Sequence, residues 1–169
     1  MSQLNIPMPV KPVMAVFSAF AERMIEAARV LETEIGLIDY ISQEFSFDQT
    51  EYYRDEMGWP LVKRLLAVEK LMDPADLVAL KIRTMEIEKN FYNTAEARTV
   101  NIDPGYISAE RLVLATGKNY IHRIYLDRGV WADLTLIFEQ GQFRPLPWTY
   151  PDYASLEAVS YTHLTLPTN

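Results

Sequence analysis

The chain has 169 residues, no cysteine and two histidines. The missing cysteine excludes a disulfide scaffold, a thiolate nucleophile and a Cys-type zinc site. A phosphate-cradling loop is missing too. Gly117-Lys118 is followed by Asn119, where a hydroxyl would be needed to hold magnesium, and Leu112 stands where such a loop needs its first glycine. No Asn-Lys-x-Asp segment is present to read guanine. No apolar run reaches the length of a membrane span, and the opening MSQLNIPMPVKPV has three prolines and no apolar signal core. Lys and Arg total 16 against 23 Asp and Glu, a net charge of −7 that opposes non-specific nucleic-acid binding. The expectation is a cytoplasmic protein with neither membrane nor nucleic acid as partner, and any cofactor is left open.

What is present fits one globular domain. Hydrophobic residues make up 49% and charged residues 23%, and a chain of this length buries about two thirds of its unfolded surface without a covalent staple. Residues 11–17 (KPVMAVF) predict a buried strand, and residues 22–35 a helix on Met24, Ala28, Leu31 and Ile35, with Gly36 at its C-terminal cap. Residues 37–47 read as a second strand, bent where the aromatic parity changes between Tyr40 and Phe45. DQTEYYRDEMGWP (residues 48–60) reads as an acidic, aromatic loop and residues 61–71 as a central strand. Asp73-Pro74-x-Asp76 is the clearest helix start, and the helix continues to about Tyr92 on Leu77, Leu80, Thr84, Ile87 and Phe91.

A further strand over residues 98–102 completes the order strand, helix, strand, strand, helix, strand. That order predicts an α+β fold, a ferredoxin-like split βαβ core. Residues 120–138 add a C-terminal antiparallel hairpin turning at Asp127-Arg128-Gly129. A three-residue loop there sets Arg123 opposite Asp133 and Tyr125 opposite Trp131, with Val130, Ala132, Leu134, Leu136 and Phe138 on one face. Residues 1–158 are expected to form this single domain. The end, VSYTHLTLPTN, has no periodicity continuous with what precedes it and is similar to translated sequencing-adapter read-through. Residues 159–169 are therefore expected to be a non-native tail, His163 is excluded from any mechanism, and a native final helix from about Ser155 is expected to be missing.

The stretch 101–153 is rich in Tyr, Trp, Asp, Asn and Pro beyond what a core and a surface require. Aromatic rings with polar tips beside fixed turns suit a ligand-contacting surface. In NIDPGY, Pro104-Gly105 suits the centre of a type II turn, which would set Asn101 and Asp103 at a pocket rim. Lys118 and Arg123 offer charge for an anion, and Tyr106, Tyr125 and the segment Trp148, Tyr150, Asp152 and Tyr153 offer stacking and a lid. His122 is the candidate general base or acid, with Asp103 or Asp152 to orient it; strand parity argues against Asp133. A lone histidine between two isoleucines is more often structural. The acidic residues Asp48, Glu51, Asp55 and Glu56 match no calcium loop, and no metal site is assigned.

Several motifs in one order, FDQTEYY with EMG, the Asp73-Pro74 helix start, VNIDPGY, LVLATGK, HRIYL and PLPWTYPDY, resemble the bacterial family known as domain of unknown function 4416. The resemblance covers about residues 12–153 and implies no established activity, although a GTP-binding label attaches to some members. The expected function is binding of a small anionic or nucleotide-like ligand. The alternatives are a hydrolase or transferase using His122 with Asp103, and a protein-interaction module using the aromatic surface 148–153.

Overall fold

A computed structural model describes residues 3–47 and 52–154. They form an α+β structure around one nine-stranded antiparallel sheet. Strand β1 (Lys11–Ser18) leads to helix α1 (Ala21–Glu34), then β2 (Ile38–Ile41) and β3 (Phe45–Ser46). After a short helix α2 (Arg54–Met57) come β4 (Val62–Val68) and helix α3 (Leu77–Glu88). The rest is β5 (Asn101–Ile107), β6 (Arg111–Thr116), β7 (Arg123–Asp127), β8 (Val130–Glu139) and β9 (Gln142–Pro145). The sheet order is β2-β4-β1-β5-β6-β8-β7, with β3 also on β4 and β9 also on β8. No helix among the described residues is long and apolar enough to cross a membrane.

β1 is buried along its whole length because it lies between β4 and β5 and is covered on both faces. Met14 and Val16 point to one face, where Met24, Ala27 and Leu31 of α1 and Ile87 of α3 close over them. Val13 and Ala15 point to the other face, with Leu65, Ala67, Leu136 and Phe143, and Tyr153 packs on top. Asp73 caps the 3-10 turn Pro74–Asp76 that leads into α3, its carboxylate accepting the Ala75 N–H at 2.8 Å. The stripe Leu77, Leu80, Thr84, Ile87 and Phe91 is buried as expected.

Five expectations are corrected. The strand expected over residues 98–102 is β5, which starts at Asn101 and runs through Pro104-Gly105. These two residues pair with Met14 and Val13 of β1, so they are sheet and not a type II turn. Residues 54–57 of the acidic loop form α2, while Asp48 and Glu51 lie outside the described residues. The single-face alternation of β8 breaks between Leu134, which pairs with Val113, and Leu136, which pairs with Leu112. Thr135 is the extra residue of a bulge there, which sends Leu136 to the opposite face. Finally, the β7–β8 turn has two central residues, Arg128 and Gly129, with φ of 49° and 79°. A register shift between Tyr125 and Asp127 compensates, so Arg123 still faces Asp133 and Tyr125 still faces Trp131. The expectations for residues 155–169 lie outside the described residues.

Candidate functional site

The site originates in β5. β6 pairs with Gly105, Tyr106 and Ile107, so among the described residues the first half of β5 has no strand on this edge. Ile102 directs its N–H to the Glu88 carboxylate at 2.6 Å, away from β1. Strand alternation points the nitrogen of Pro104 the same way, and proline has no N–H to offer β6. The two strands therefore separate at Pro104. Lys81 and Glu88 of α3 reach in from the helix side, and the segment 148–153 crosses the other side. Between them lies a cavity of about 720 Å³, within the size range of small-molecule sites.

The C-terminal wall is pinned at several points. The Trp148 indole N–H donates to the Leu134 carbonyl at 2.8 Å, and the Thr149 hydroxyl donates to the Thr135 carbonyl at 2.5 Å. Thus the bulge at Thr135 anchors this wall. Lys63 donates to Asp152, and its ammonium lies 4.3 Å from the centre of the Tyr153 ring and 4.5 Å from that of Phe47. Such buried charges persist only when paired, and the aromatic faces add to the attraction.

Charge inside the cavity is arranged in pairs. Arg98 grips Glu56 with two hydrogen bonds of 2.7 and 2.9 Å, and a third nitrogen donates to Asn101 Oδ1 at 2.9 Å. The guanidinium holds the Glu56 carboxyl below the usual range. Burial pushes the Glu88 carboxyl upward, against the Ile102 N–H and Lys81 that favour its charged form. Lys81 Nζ lies 3.7 Å from Asp103 Oδ1. Burial, with the Asp103 charge nearby, raises the Tyr53 hydroxyl well above its ordinary value. Arg123 Nε donates to Asp133 Oδ2 at 2.8 Å, and Arg123 Nη1 donates to the Lys118 carbonyl at 3.0 Å. Lys118 differs from these cations: its ammonium lies 4.2 Å from the centre of the Tyr52 ring, and it has no carboxylate partner among the described residues.

Of the residues expected at the site, Asn101, Asp103, Lys118 and Arg123 line the cavity, as do Trp148, Tyr150, Asp152 and Tyr153. Three do not. Tyr106 belongs to the core cluster that Leu77, Val78 and Val113 form on the helix side. Tyr125 sits on β7 with its ring edge-to-face on Trp131 at 5.1 Å. His122 stacks on Trp148 at 5.2 Å, and its Nε2 lies 3.2 Å from Asp133 Oδ2. The parity argument against that pair fails because His122 precedes β7 and lies in the turn. The carboxylate beside His122 is that of Asp133, while Asp103 lies near Lys81, so the His122–Asp103 dyad is not assembled here. Among the described residues no three His, Asp or Glu side chains form a group able to hold a metal ion.

Sequence reasoning missed Lys63, Lys81, Glu88 and Arg98. Lys63 had a signal: a lysine inside VKRLLAV, a run otherwise suited to a buried strand. Lys81, Thr84 and Glu88 also carried one, being polar residues spaced to share one face of α3.

Fold and site together define an α+β protein with a polar, aromatic-walled cleft at a parting of its sheet. The chain belongs to the family described as Domain of unknown function (DUF4416), whose profile matches residues 8–164. None of the curated proteins and none of the solved structures compared with it is a match.

Proposed function

We propose that this protein binds a small anionic ligand in the cavity between β5 and β6. The observation that carries the reading is Lys118. Its neighbours in the wall, Lys63, Lys81 and Arg123, each face a carboxylate, whereas Lys118 has an aromatic ring beneath it and an open cavity before it. A cation so placed attracts an anion at little cost, because among the described residues no ion pair has to be broken. Trp148 and Tyr150 are part exposed and line the same space, offering flat faces to a ligand. On this reading β1-α1-β2-β4-α3-β5 is a ferredoxin-like core, and β6 to β9 are the addition that makes the second wall.

The test is thermal-shift screening of the chain against nucleotides, sugar phosphates, dicarboxylates and inorganic phosphate. A ligand at about 100 times its Kd adds roughly 2.7 kcal/mol to stability, and Lys118→Ala should abolish the shift. If no anion raises the melting temperature, the reading is wrong. The hydrolase or transferase reading is weaker because the carboxylate beside His122 is Asp133 and not Asp103. The interaction-module reading is weaker because Asp152 and Tyr153 are buried.

A further inference from the structure

Among the described residues, Asn101 lines the cavity with a buried donor that has no acceptor. The residue is only 4% exposed, and its Nδ2 has no partner among the described residues. The orientation of the amide is fixed chemically. Arg98 donates to Oδ1, and a guanidinium cannot accept, so the oxygen must face Arg98 and the nitrogen must face elsewhere. A buried donor without an acceptor is unfavourable, and a bound oxygen would relieve it. Two residues along the same strand, and on the same face, is Asp103. Its carboxylate is about one third exposed and lies 3.7 Å from Lys81, too far for that ammonium to saturate it.

We infer that the cavity takes a phosphorylated sugar, with Asn101 and Asp103 reading neighbouring hydroxyls and Lys118 holding the phosphate. This rests on the anion-binding reading above and narrows it. A hydroxyl both donates and accepts, so adjacent hydroxyls satisfy one donor and one acceptor set side by side on a strand. A dianion with charge at both ends would meet Asp103 and Glu88 at the wrong end. A neutral sugar would leave Lys118 unused. The same chemistry is found in a free sugar phosphate and in the ribose 5′-phosphate of a nucleotide, whose base would add stacking on Trp148 or Tyr150.

The experiment is calorimetric titration of the full chain with ribose 5-phosphate, adenosine 5′-monophosphate, guanosine 5′-monophosphate, ribose and inorganic phosphate. Ribose 5-phosphate should bind about tenfold tighter or more than either fragment. Asn101→Leu should remove most of that advantage while leaving inorganic phosphate within about twofold, and Lys118→Ala should weaken both. Asn101→Asp, which keeps the oxygen that Arg98 needs, is the second variant should the leucine form fail to fold. It too should narrow the ratio of sugar phosphate to phosphate. Tighter binding of the nucleotides identifies them as the source; equal binding identifies the free sugar phosphate. An unchanged ratio in both Asn101 variants overturns the inference. If another anion binds in a Lys118-dependent way and no sugar phosphate does, the inference fails and the anion-binding reading stands. If nothing binds, both fail.

Discussion

Lys63 on β4 and Asp152, 89 positions apart in the chain, form a buried ion pair that fastens the cavity's C-terminal wall to the sheet. Removing Asp152 leaves the Lys63 ammonium among Phe17, Phe47 and Tyr153 without that carboxylate. Lys63→Met or Asp152→Leu alone should each cost about 3–5 kcal/mol in urea unfolding. The double variant should recover much of that loss, because no charge is then left unpaired. Equal losses in single and double variants would show that the pair itself is not what fastens the wall.

Asp133 receives both His122 Nε2 and Arg123 Nε on one oxygen. Asp133→Ala therefore leaves a buried guanidinium unpaired and should destabilise the protein by about 3 kcal/mol. His122→Ala removes one hydrogen bond and the stack on Trp148, a loss of about 1–2 kcal/mol. It should leave the affinity for ribose 5-phosphate within about twofold, since the imidazole is outside the cavity wall. A large loss of affinity would instead place His122 in the binding machinery.

How much of this was readable beforehand varies with the range of the interaction. Short-range signals served well: the Asp73 cap, the apolar stripe of α3, and the Arg123–Asp133 and Tyr125–Trp131 pairs set by a nearby turn. Pro104-Gly105 misled because its local preference is a turn, and the neighbouring strands decide otherwise. Proline is accommodated where β6 stops pairing, and glycine is required where β6 comes closest. The bulge at Thr135 was invisible because ADLTL alternates apolar and polar through it, and only pairing with β6 reveals the extra residue. The cavity's far wall was missed for a similar reason. Lys81 and Glu88 look like the solvated side of a helix until β5 is known to lie beside them.

Two glutamates at this site should give opposite pH signatures. Burial raises the Glu88 carboxyl in the folded state, so its neutral form is favoured there. Its contribution to stability is present below the unfolded pKa and is lost as pH rises through the folded one. Glu88→Gln, which can still accept the Ile102 N–H, should thus gain stability relative to the parent as pH rises. Arg98 lowers the Glu56 carboxyl, so its contribution is present above the unfolded pKa and is lost as pH falls through the folded one. Glu56→Gln should be the less stable protein at neutral pH and equal to the parent in acid. Melting temperatures of the three proteins from about pH 3 to 8 would check both signs. Parallel curves for the parent and a variant would contradict the corresponding assignment.

The parting of β5 from β6 makes a last prediction at Gly105. A Cβ built there lies 2.3 Å from the Val113 carbonyl oxygen and 3.1 Å from the Leu114 Cα, both of them backbone atoms in the paired part of β6. Neither can move without breaking the ladder that joins the core to the second wall. Gly105→Ala should therefore cost about 3 kcal/mol or more, at the upper end for a single methyl group, as overpacking against backbone requires. Gly117 is the control, because a Cβ there meets nothing within 4 Å. Gly117→Ala should stay within about 0.5 kcal/mol of the parent. Because Gly105 fixes where the strands stop pairing, any Gly105→Ala protein that does fold should also bind the ligand more weakly. A stable Gly105→Ala variant with parental affinity would mean that the close approach of β6 does not set the shape of the cavity.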